Sequence, residues 1–221
     1  DPLAKWQTLL TRARRAPIRI PGGPPVTYAE IVTGTVKLLA DPPESWSALA
    51  GQLQQLYEVS TSAAGRASPA IAAGATTAAY NNADEALVAV TCTDTNNPRD
   101  PFRWPAVARQ RDRGFGPFGS FWAYLSEPCA TWPARDHDRY TGPFNRLTKA
   151  KILVAGITND PATPYQSSVN LAHELANAQL LTVQGSGHDL FFNNSTCADD
   201  YASQYFISGT LASTAPVCHQ D

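Results

Sequence analysis

The stretch KILVAGITNDPATPYQSSVNLAHELANAQLLTVQGSGHDLFF, residues 151–192, decides the fold. Its apolar, β-branched run at 151–156 predicts a buried strand, and the run at 179–183 predicts a second one. Between them, residues 165–178 have the spacing of an amphipathic helix. A strand, a helix and a strand in this order predict a parallel pair joined by a right-handed crossover.

Two polar side chains follow these two predicted strands. Asp160 comes after the first strand, and His188 comes after the second in a Gly-Ser-Gly-His turn. The carboxyl ends of parallel strands form the edge of an open α/β sheet where ligands and catalytic groups collect. A carboxylate beside an imidazole can accept a hydrogen bond from one ring nitrogen and so fix the tautomer. The pattern predicts that Asp160 and His188 are the acid and the base of a Ser-His-Asp site.

Other interpretations of these polar residues are open. An Asp before a proline is commonly a turn residue, and a His near glycines is commonly a capping or surface residue. Asp189 competes as the acid, but it is adjacent to His188, so its side chain is expected to point elsewhere. Asp136, His137 and Asp138 form a denser cluster that could bind a metal. This cluster has no further ligand in its Pro-flanked polar loop, and we interpret it as solvated.

The chain before residue 149 shows no regular alternation of strands and helices. Helical patterns occur instead over residues 5–15, 27–41, 44–59 and from 101 onward, whereas 60–82 reads as a loop or a loosely held helix. Thr27 and Glu30 have the spacing of a capping box. We therefore predict a mainly helical lid over residues 1–148 and an α/β core over 149–221. A last helix is expected at 199–207, with Gly209 as its C-terminal stop.

Composition limits the classes of function. The 221 residues are 43% hydrophobic, which is enough for one or two packed units. The net charge is −2 and there is no basic stripe, which argues against a nucleic-acid partner. No apolar run of about 18 residues occurs, so no membrane span is expected. Charged residues make up only 16%, below the usual share of about 25%, as in many secreted enzymes.

Four cysteines are present, and their number is even. They form no C-x-x-C pair and the four histidines are scattered, so the spacing of a zinc site is not met and we expect no metal. In a secreted chain an even number of cysteines suggests disulfides. The two pairs that are local in sequence, Cys92–Cys129 and Cys197–Cys218, are the pairing that we favour.

Three further features favour secretion and processing. Two overlapping glycosylation sequons place candidate acceptor sites at Asn193 and Asn194. The 221 residues contain no methionine and no signal peptide, so we expect a mature piece that has been cut at its N-terminus. The expected location is extracellular.

The segments GITNDPATPY, VQGSGHDL and the late cysteine pair resemble the C-terminal region of tripeptidyl aminopeptidase-like α/β-hydrolases, relatives of the prolyl aminopeptidases. The segments AVTCTD and CATWP are also similar to family elements that precede the last two strands. The resemblance covers residues 84–221 well. It implies the C-terminal portion of an α/β-hydrolase fold, in which Asp160 is the triad acid and His188 is the triad base, with no cofactor.

The family carries its nucleophile on a G-x-S-x-G elbow ahead of the lid, and no such motif occurs here. Ser186 lies between two glycines, but it is too close to His188 in sequence to be its nucleophile. We therefore expect this chain to be the C-terminal chain of a two-chain enzyme. Its partner would be the N-terminal chain of the same precursor, which would carry the serine and the first strands of the sheet.

The resemblance implies peptide substrates with a free amino terminus. An acidic residue of the lid, Glu58 or Asp94, could then pair with the substrate ammonium group. Esters and lactones are alternative substrates, because the same fold processes them. A second class of function is also open: without a nucleophile, the chain could be a binding or regulatory module that retains an unused acid-base pair.

Overall fold

The computed structural model describes residues 1–41, 45–62, 82–188 and 195–221. The chain divides into two compact units, made of Asp1–Thr33 with Leu56–Tyr140 and of Gly34–Gln55 with Thr141–Asp221. The segment Gly34–Gln55, which the sequence assigns to the helical lid, thus belongs to the same compact unit as the sheet. Within the described ranges, no helix has both the length and the apolar character needed to cross a membrane. Most of the segment 60–82 lies outside those ranges.

Helices dominate the chain before residue 149, as predicted. They are α1 (Pro2–Arg15), α2 (Tyr28–Ala40), α3 (Trp46–Thr61), α4 (Ala83–Asp94), α5 (Trp104–Phe115) and α6 (Pro117–Leu125), with 3-10 turns at Pro101–Arg103 and Glu127–Ala130. The boundary between the two compact units falls within α2 and again within α3.

The start of α2 has the predicted capping box. The amide of Thr27 donates to Oε2 of Glu30 over 2.7 Å, and the amide of Glu30 donates to Oγ1 of Thr27 over 3.2 Å. These two bonds satisfy amides that no carbonyl within the helix can reach. The bond from the Thr27 amide, followed by the bond from the Thr27 hydroxyl, lowers the pKa of the Glu30 carboxyl.

Close helix packing and a disulfide hold the helical unit together. A Cβ atom on Gly119 would lie 2.4 Å from the backbone carbon of Arg111, so only glycine lets α6 approach α5 this closely. Cys92, at the end of α4, is bonded to Cys129 in the second 3-10 turn. This is the pairing favoured from the sequence.

The described residues of the second unit form a three-stranded sheet in the order β1-β2-β3, in which both pairings are parallel. The strands are β1 (Ile152–Asn159), β2 (Ala178–Ser186) and β3 (Val217–His219). The first two strands confirm the predicted βαβ unit. The third was not predicted, because a three-residue strand is too short to show an alternating pattern. Its position beside β2 makes β2 the central strand.

The crossover helix α7 (Tyr165–Glu174) packs tightly on β1 and β2. A Cβ atom on Gly156 would lie 2.7 Å from Oγ of Ser168, so glycine in β1 permits this approach. The hydroxyl groups of Tyr165 and Thr182 are 2.7 Å apart and join the helix to β2. The helix ends at Glu174, before the predicted end at residue 178. The turn that follows it is held by Asn177, whose side-chain amide donates to the carbonyl of Thr148.

The last helix, α8 (Thr196–Ser208), covers the buried centre of the sheet. This centre consists of Ile157, Leu181, Val183, Ala198 and Cys218. The helix begins earlier than predicted because Oγ of Ser195 accepts from the amide of Ala198 and caps its first turn. It ends at Gly209, whose φ of 67° is left-handed, as the sequence predicted.

The disulfide between Cys197 and Cys218 joins the first turn of α8 to β3. Replacing both cysteines by alanine will lower the free energy of unfolding by about 3 kcal/mol. The bond restricts the conformations of the unfolded chain by closing a loop in it, and the variant loses this restriction. The separation of the two cysteines is 21 residues. Urea unfolding of the protein expressed from its complete gene measures the loss. A change below about 1 kcal/mol would contradict this account.

Candidate active site

The structure places the two candidate catalytic residues at the same edge of the sheet. Strand β1 ends at Asn159 and strand β2 ends at Ser186, and these two residues are partners in the parallel pairing. Asp160 therefore leaves the sheet directly opposite the turn that carries His188. The register between β1 and β2 shifts just before this point, between Ile157 and Asn159. The shift marks the position where regular pairing gives way to the two loops that carry Asp160 and His188.

Four hydrogen bonds hold the carboxylate of Asp160. Its Oδ1 accepts from the backbone amides of Ala162 over 2.7 Å and Thr163 over 2.8 Å. Its Oδ2 accepts from the hydroxyl of Thr163 over 2.6 Å and lies 2.9 Å from Nδ1 of His188. The side chain is only 6% exposed. Every donor that a buried carboxylate needs is thus present, and the carboxylate is fixed in orientation.

Burial alone would raise the pKa of Asp160, since it disfavours the charged form. The hydrogen bonds from the Thr163 hydroxyl, from His188 and from the two backbone amides act in the opposite direction. Together they outweigh burial and lower the pKa below its ordinary value of 3.8. Asp160 is therefore ionised at neutral pH.

An ionised Asp160 decides which nitrogen of His188 carries the hydrogen. A carboxylate only accepts, so Nδ1 must donate to Oδ2. The hydroxyl of Thr163 lies 3.3 Å from the same nitrogen, and it directs its own hydrogen to Asp160. Among the described residues no side chain is hydrogen-bonded to Nε2, and the side chain of His188 is 44% exposed. In this tautomer Nε2 has a free lone pair and can act as a base.

The backbone of the histidine turn rests on the end of α2. The amide of His188 donates to the carbonyl of Ala40 over 2.8 Å. Gly187 has a φ of +99°, which side chains rarely allow, and a Cβ atom there would lie 3.2 Å from the carbonyl oxygen of Asp41. The glycine therefore serves both the turn and its close contact with the helix. This contact was not predicted, because residues far apart in sequence make it through backbone atoms, which no side-chain pattern reports.

Thr163 is a residue of the candidate site to which the sequence analysis gives no role. The available signal was the spacing Asp-x-x-Thr, which places a hydroxyl and an amide one turn after a carboxylate. In the structure this spacing supplies two of the four bonds to Asp160. Thr163 therefore contributes to the orientation of the acid.

Replacing Thr163 by valine will lower turnover about tenfold, because one hydrogen bond to a charged group is lost while side-chain shape is kept. Thr163→Ser is the matched control, since it keeps the hydroxyl. The loss of the hydroxyl also removes a cause of the low pKa of Asp160. Kinetics on a chromogenic ester, with both variants compared to the unchanged protein, measure the effect. Equal turnover of the valine and serine variants would contradict it.

The other predicted binding residues lie in the first compact unit. Glu58 is exposed in α3, and Asp94 is exposed at the end of α4. The described residues of that unit assign neither of them a ligand, so their role in binding a substrate ammonium stays a prediction. Asn193 and Asn194, the two sequon residues, lie outside the described ranges, as does the competing acid Asp189.

The cluster of Asp136, His137 and Asp138 makes hydrogen bonds that stabilise its own loop. Oδ1 of Asp136 accepts from the amide of Asp138 over 2.8 Å, and the amide of Asp136 donates to the carbonyl of Thr93. His137 between them is exposed. In the part of the chain that the structure describes, no group of three or more His, Cys, Asp or Glu side chains could hold a metal ion.

Comparison with known proteins identifies similar sequences. Residues 114–218 match the family described as TAP-like protein, an α/β-hydrolase family. Carboxylesterase B of Mycobacterium tuberculosis is 35% identical over 202 residues, which are 87% of this chain. Serine protease Hip1 of the same organism is 28% identical over 197 residues, also 87% of the chain. Tripeptidyl aminopeptidase of Streptomyces lividans is 27% identical over 176 residues, or 77% of the chain.

The chain is much shorter than these relatives. It spans 37% of the length of the esterase and of the protease, and 30% of the length of the aminopeptidase. The names of these relatives include both esterases and peptidases.

Proposed function

We propose that this chain, whose residues 114–218 belong to the TAP-like family of α/β-hydrolases, supplies the acid and the base of a Ser-His-Asp hydrolase. One observation carries the proposal: Nδ1 of His188 lies 2.9 Å from a carboxylate oxygen of Asp160, at the carboxyl edge of a parallel sheet. The tautomer that this contact imposes leaves Nε2 free to take a proton. This is the arrangement that a general base for a serine requires.

The reaction is transfer of an acyl group to water. A serine hydroxyl attacks the carbonyl carbon of the substrate, and Nε2 of His188 takes the proton of that hydroxyl. The imidazolium then gives this proton to the leaving amine or alcohol, and an acyl-serine remains. Water repeats the sequence, and the acid product leaves. Asp160 stays ionised throughout, orients the ring and stabilises its positive charge.

The serine of this reaction lies outside the 221 residues. They contain no G-x-S-x-G motif, and Ser186 is fixed two residues before the base. The relatives are more than twice as long as this chain, which leaves room for a nucleophile elsewhere. In the form that we favour, a separate N-terminal chain of the same precursor carries the serine, and the two chains share one sheet. In this form the oxyanion donors would also come from that N-terminal chain.

The proposed substrate is a peptide with a free amino terminus, and a small ester or lactone is the alternative. The relatives named as aminopeptidase and serine protease support the first, and the relative named as carboxylesterase supports the second. Two disulfides favour a secreted protein, because such bonds persist in oxidising compartments.

A fluorophosphonate probe tests this proposal on the protein expressed from its complete gene. We expect one serine to be labelled, on a segment outside these 221 residues, and His188→Ala to abolish the labelling. Mass spectrometry then shows whether that serine lies on a separate polypeptide. A folded protein that no fluorophosphonate labels would instead support the binding or regulatory module. Hydrolysis rates on aminoacyl and tripeptidyl amides, compared with simple esters, separate the two substrate classes.

A further inference from the structure

We propose that Gln220 is a positioning residue for His188. It lies one residue beyond β3, and its side-chain amide holds the backbone of the turn that carries the base. The inference deepens the proposed function and rests on it where turnover is concerned, since position matters to a rate only if His188 acts as a base.

The side chain of Gln220 makes two hydrogen bonds with one residue. Its Oε1 accepts from the amide of Ser186 over 3.0 Å, and its Nε2 donates to the carbonyl of Ser186 over 2.9 Å. The backbone amide of Gln220 also donates to the carbonyl of Gln184 over 3.1 Å. Both polar ends of the carboxamide are thus used on the last residue of β2, two positions before His188.

These bonds occur near the position where the pairing of β1 with β2 becomes irregular. The pairing of β1 with β2 shifts register near their ends. On the β1 side, the hydroxyl of Thr158 lies 3.2 Å from both the amide and the carbonyl of Gly185. On the β3 side, the carboxamide of Gln220 binds both the amide and the carbonyl of Ser186. The side chains of Thr158 and Gln220 therefore both hydrogen-bond the backbone at the end of β2 and satisfy polar groups there.

Gly185 fits this role for Gln220. A Cβ atom on Gly185 would lie 2.8 Å from Cβ and 2.9 Å from Oε1 of Gln220, which is closer than side chains approach each other. Glycine before Ser186 therefore permits the amide to reach its two partners. Gly185, the first glycine of the Gly-Ser-Gly-His turn, is thus required for a different reason from Gly187, which faces the end of α2.

Gln220 is itself well anchored. The strand before it pairs with β2, where Cys218 is the partner of Val183 and His219 is the partner of Gln184. Cys218 is also joined to Cys197 by the disulfide. The pairing of β3 and the disulfide hold the backbone next to Gln220, so its side chain has little conformational freedom. Its amide can therefore set the position of the turn.

The position of the turn matters because the ring itself has few restraints. The side chain of His188 is 44% exposed, and its contacts to Asp160 and Thr163 both involve Nδ1. The placement of Nε2 therefore depends on the backbone of the turn. A displacement of about 1 Å in a catalytic group can lower a rate about 100-fold.

The test compares Gln220→Ala and Gln220→Glu with Asp221→Ala in the protein expressed from its complete gene. Glutamate keeps Oε1 but lacks the Nε2 donor, and its second carboxylate oxygen repels the carbonyl oxygen of Ser186. Asp221 is the matched control, because its Oδ2 also accepts two bonds, from the amide and the hydroxyl of Thr196, away from the turn. We expect both Gln220 variants to lower kcat by about 10- to 100-fold, with KM changed less than about twofold. The control should keep the kcat of the unchanged protein.

Rates are expressed per serine that the fluorophosphonate titrates, so that unfolded protein does not count. A purely structural Gln220 would lower stability and the titrated fraction but leave kcat per titrated site unchanged, and that result would overturn the proposal. Gly185→Ala is a second variant that displaces the amide without removing it. It should cause a similar loss alone and no further loss when combined with Gln220→Ala.

A spectroscopic measurement separates failure of this inference from failure of the proposed function. In ring-labelled histidine, the hydrogen that His188 shares with Asp160 gives a downfield proton signal, assigned by its absence in His188→Ala. We expect this signal to weaken or shift in both Gln220 variants and to stay in Asp221→Ala. If the unchanged protein never reacts with fluorophosphonate, the proposed function fails, yet the signal still tests the placement of the ring. An unchanged signal in the Gln220 variants would overturn the inference.

Discussion

Replacing His188 by alanine will lower hydrolysis by the protein expressed from its complete gene by at least about 10⁴-fold, because the proposed serine nucleophile loses its proposed base. Stability should change little. The side chain is 44% exposed, and the backbone bond from residue 188 to the carbonyl of Ala40 is kept in the variant. Initial rates on a chromogenic ester, with circular dichroism to show that the fold is intact, measure both effects.

The control for this result is another histidine of the same compact unit. His173 is exposed in the last turn of α7, and we assign it no role in the reaction. His173→Ala should therefore retain the full rate. If the alanine variants at 188 and 173 hydrolyse the ester equally fast, His188 is not the base and the proposed function is wrong.

Replacing Asp160 by asparagine will lower turnover by about 10⁴-fold, although the number of non-hydrogen atoms at the site stays the same. The amides of Ala162 and Thr163 both donate to Oδ1 and so require an oxygen there. The asparagine must then present its NH₂ group toward Nδ1 of His188. Nδ1 becomes an acceptor, and the ring hydrogen moves to Nε2. A ring with hydrogen on Nε2 cannot take the proton of a serine, although every residue is still in place.

Two measurements check this argument. The rate should fall with KM nearly unchanged, because the lost interaction acts on the base and not on the bound substrate. The nitrogen signals of the ring should show the opposite tautomer in Asp160→Asn. A variant that keeps the original tautomer, or that retains more than about a tenth of the rate, would contradict the role given to Asp160.

The same variant should also respond differently to acid. The pKa of Asp160 lies below 3.8 in the folded protein, so its ionised form contributes stability above pH 3.8. This contribution is lost as the pH falls through the folded value. Asparagine has no such transition, and the stability of Asp160→Asn should therefore fall less steeply at the acid end. Unfolding midpoints measured from neutral pH downward give the comparison.

The contact between Asp160 and His188 could be predicted from the sequence because its signals are local. A β-branched run followed by a polar loop shows where a strand ends, and two such strands place Asp160 and His188 at one edge. The capping residues Thr27 and Gly209 were equally local and could be read directly. In each case the residues that make the pattern also make the contact.

The supports of the site were not predictable in this way. The bond to the carbonyl of Ala40 comes from a helix that precedes His188 by more than a hundred residues, and it uses only backbone atoms. Strand β3 has three residues, and Gln220 acts through a carboxamide whose partners are again backbone groups. The glycines of the turn indicate close contacts, but the sequence does not identify which residues approach them.

The order of the strands sets a condition on when the site can form during synthesis. The central strand β2 emerges from the ribosome before β3, although it needs β3 on one side. The turn that carries His188 lacks its bonds to Gln220 until more than thirty further residues have been translated. A nascent chain that stops before that point contains Asp160 and His188 but lacks the two bonds between Gln220 and Ser186. In the proposed hydrolase, the two bonds that hold the turn of His188 through Ser186 can therefore form only after β3 and Gln220 have been translated.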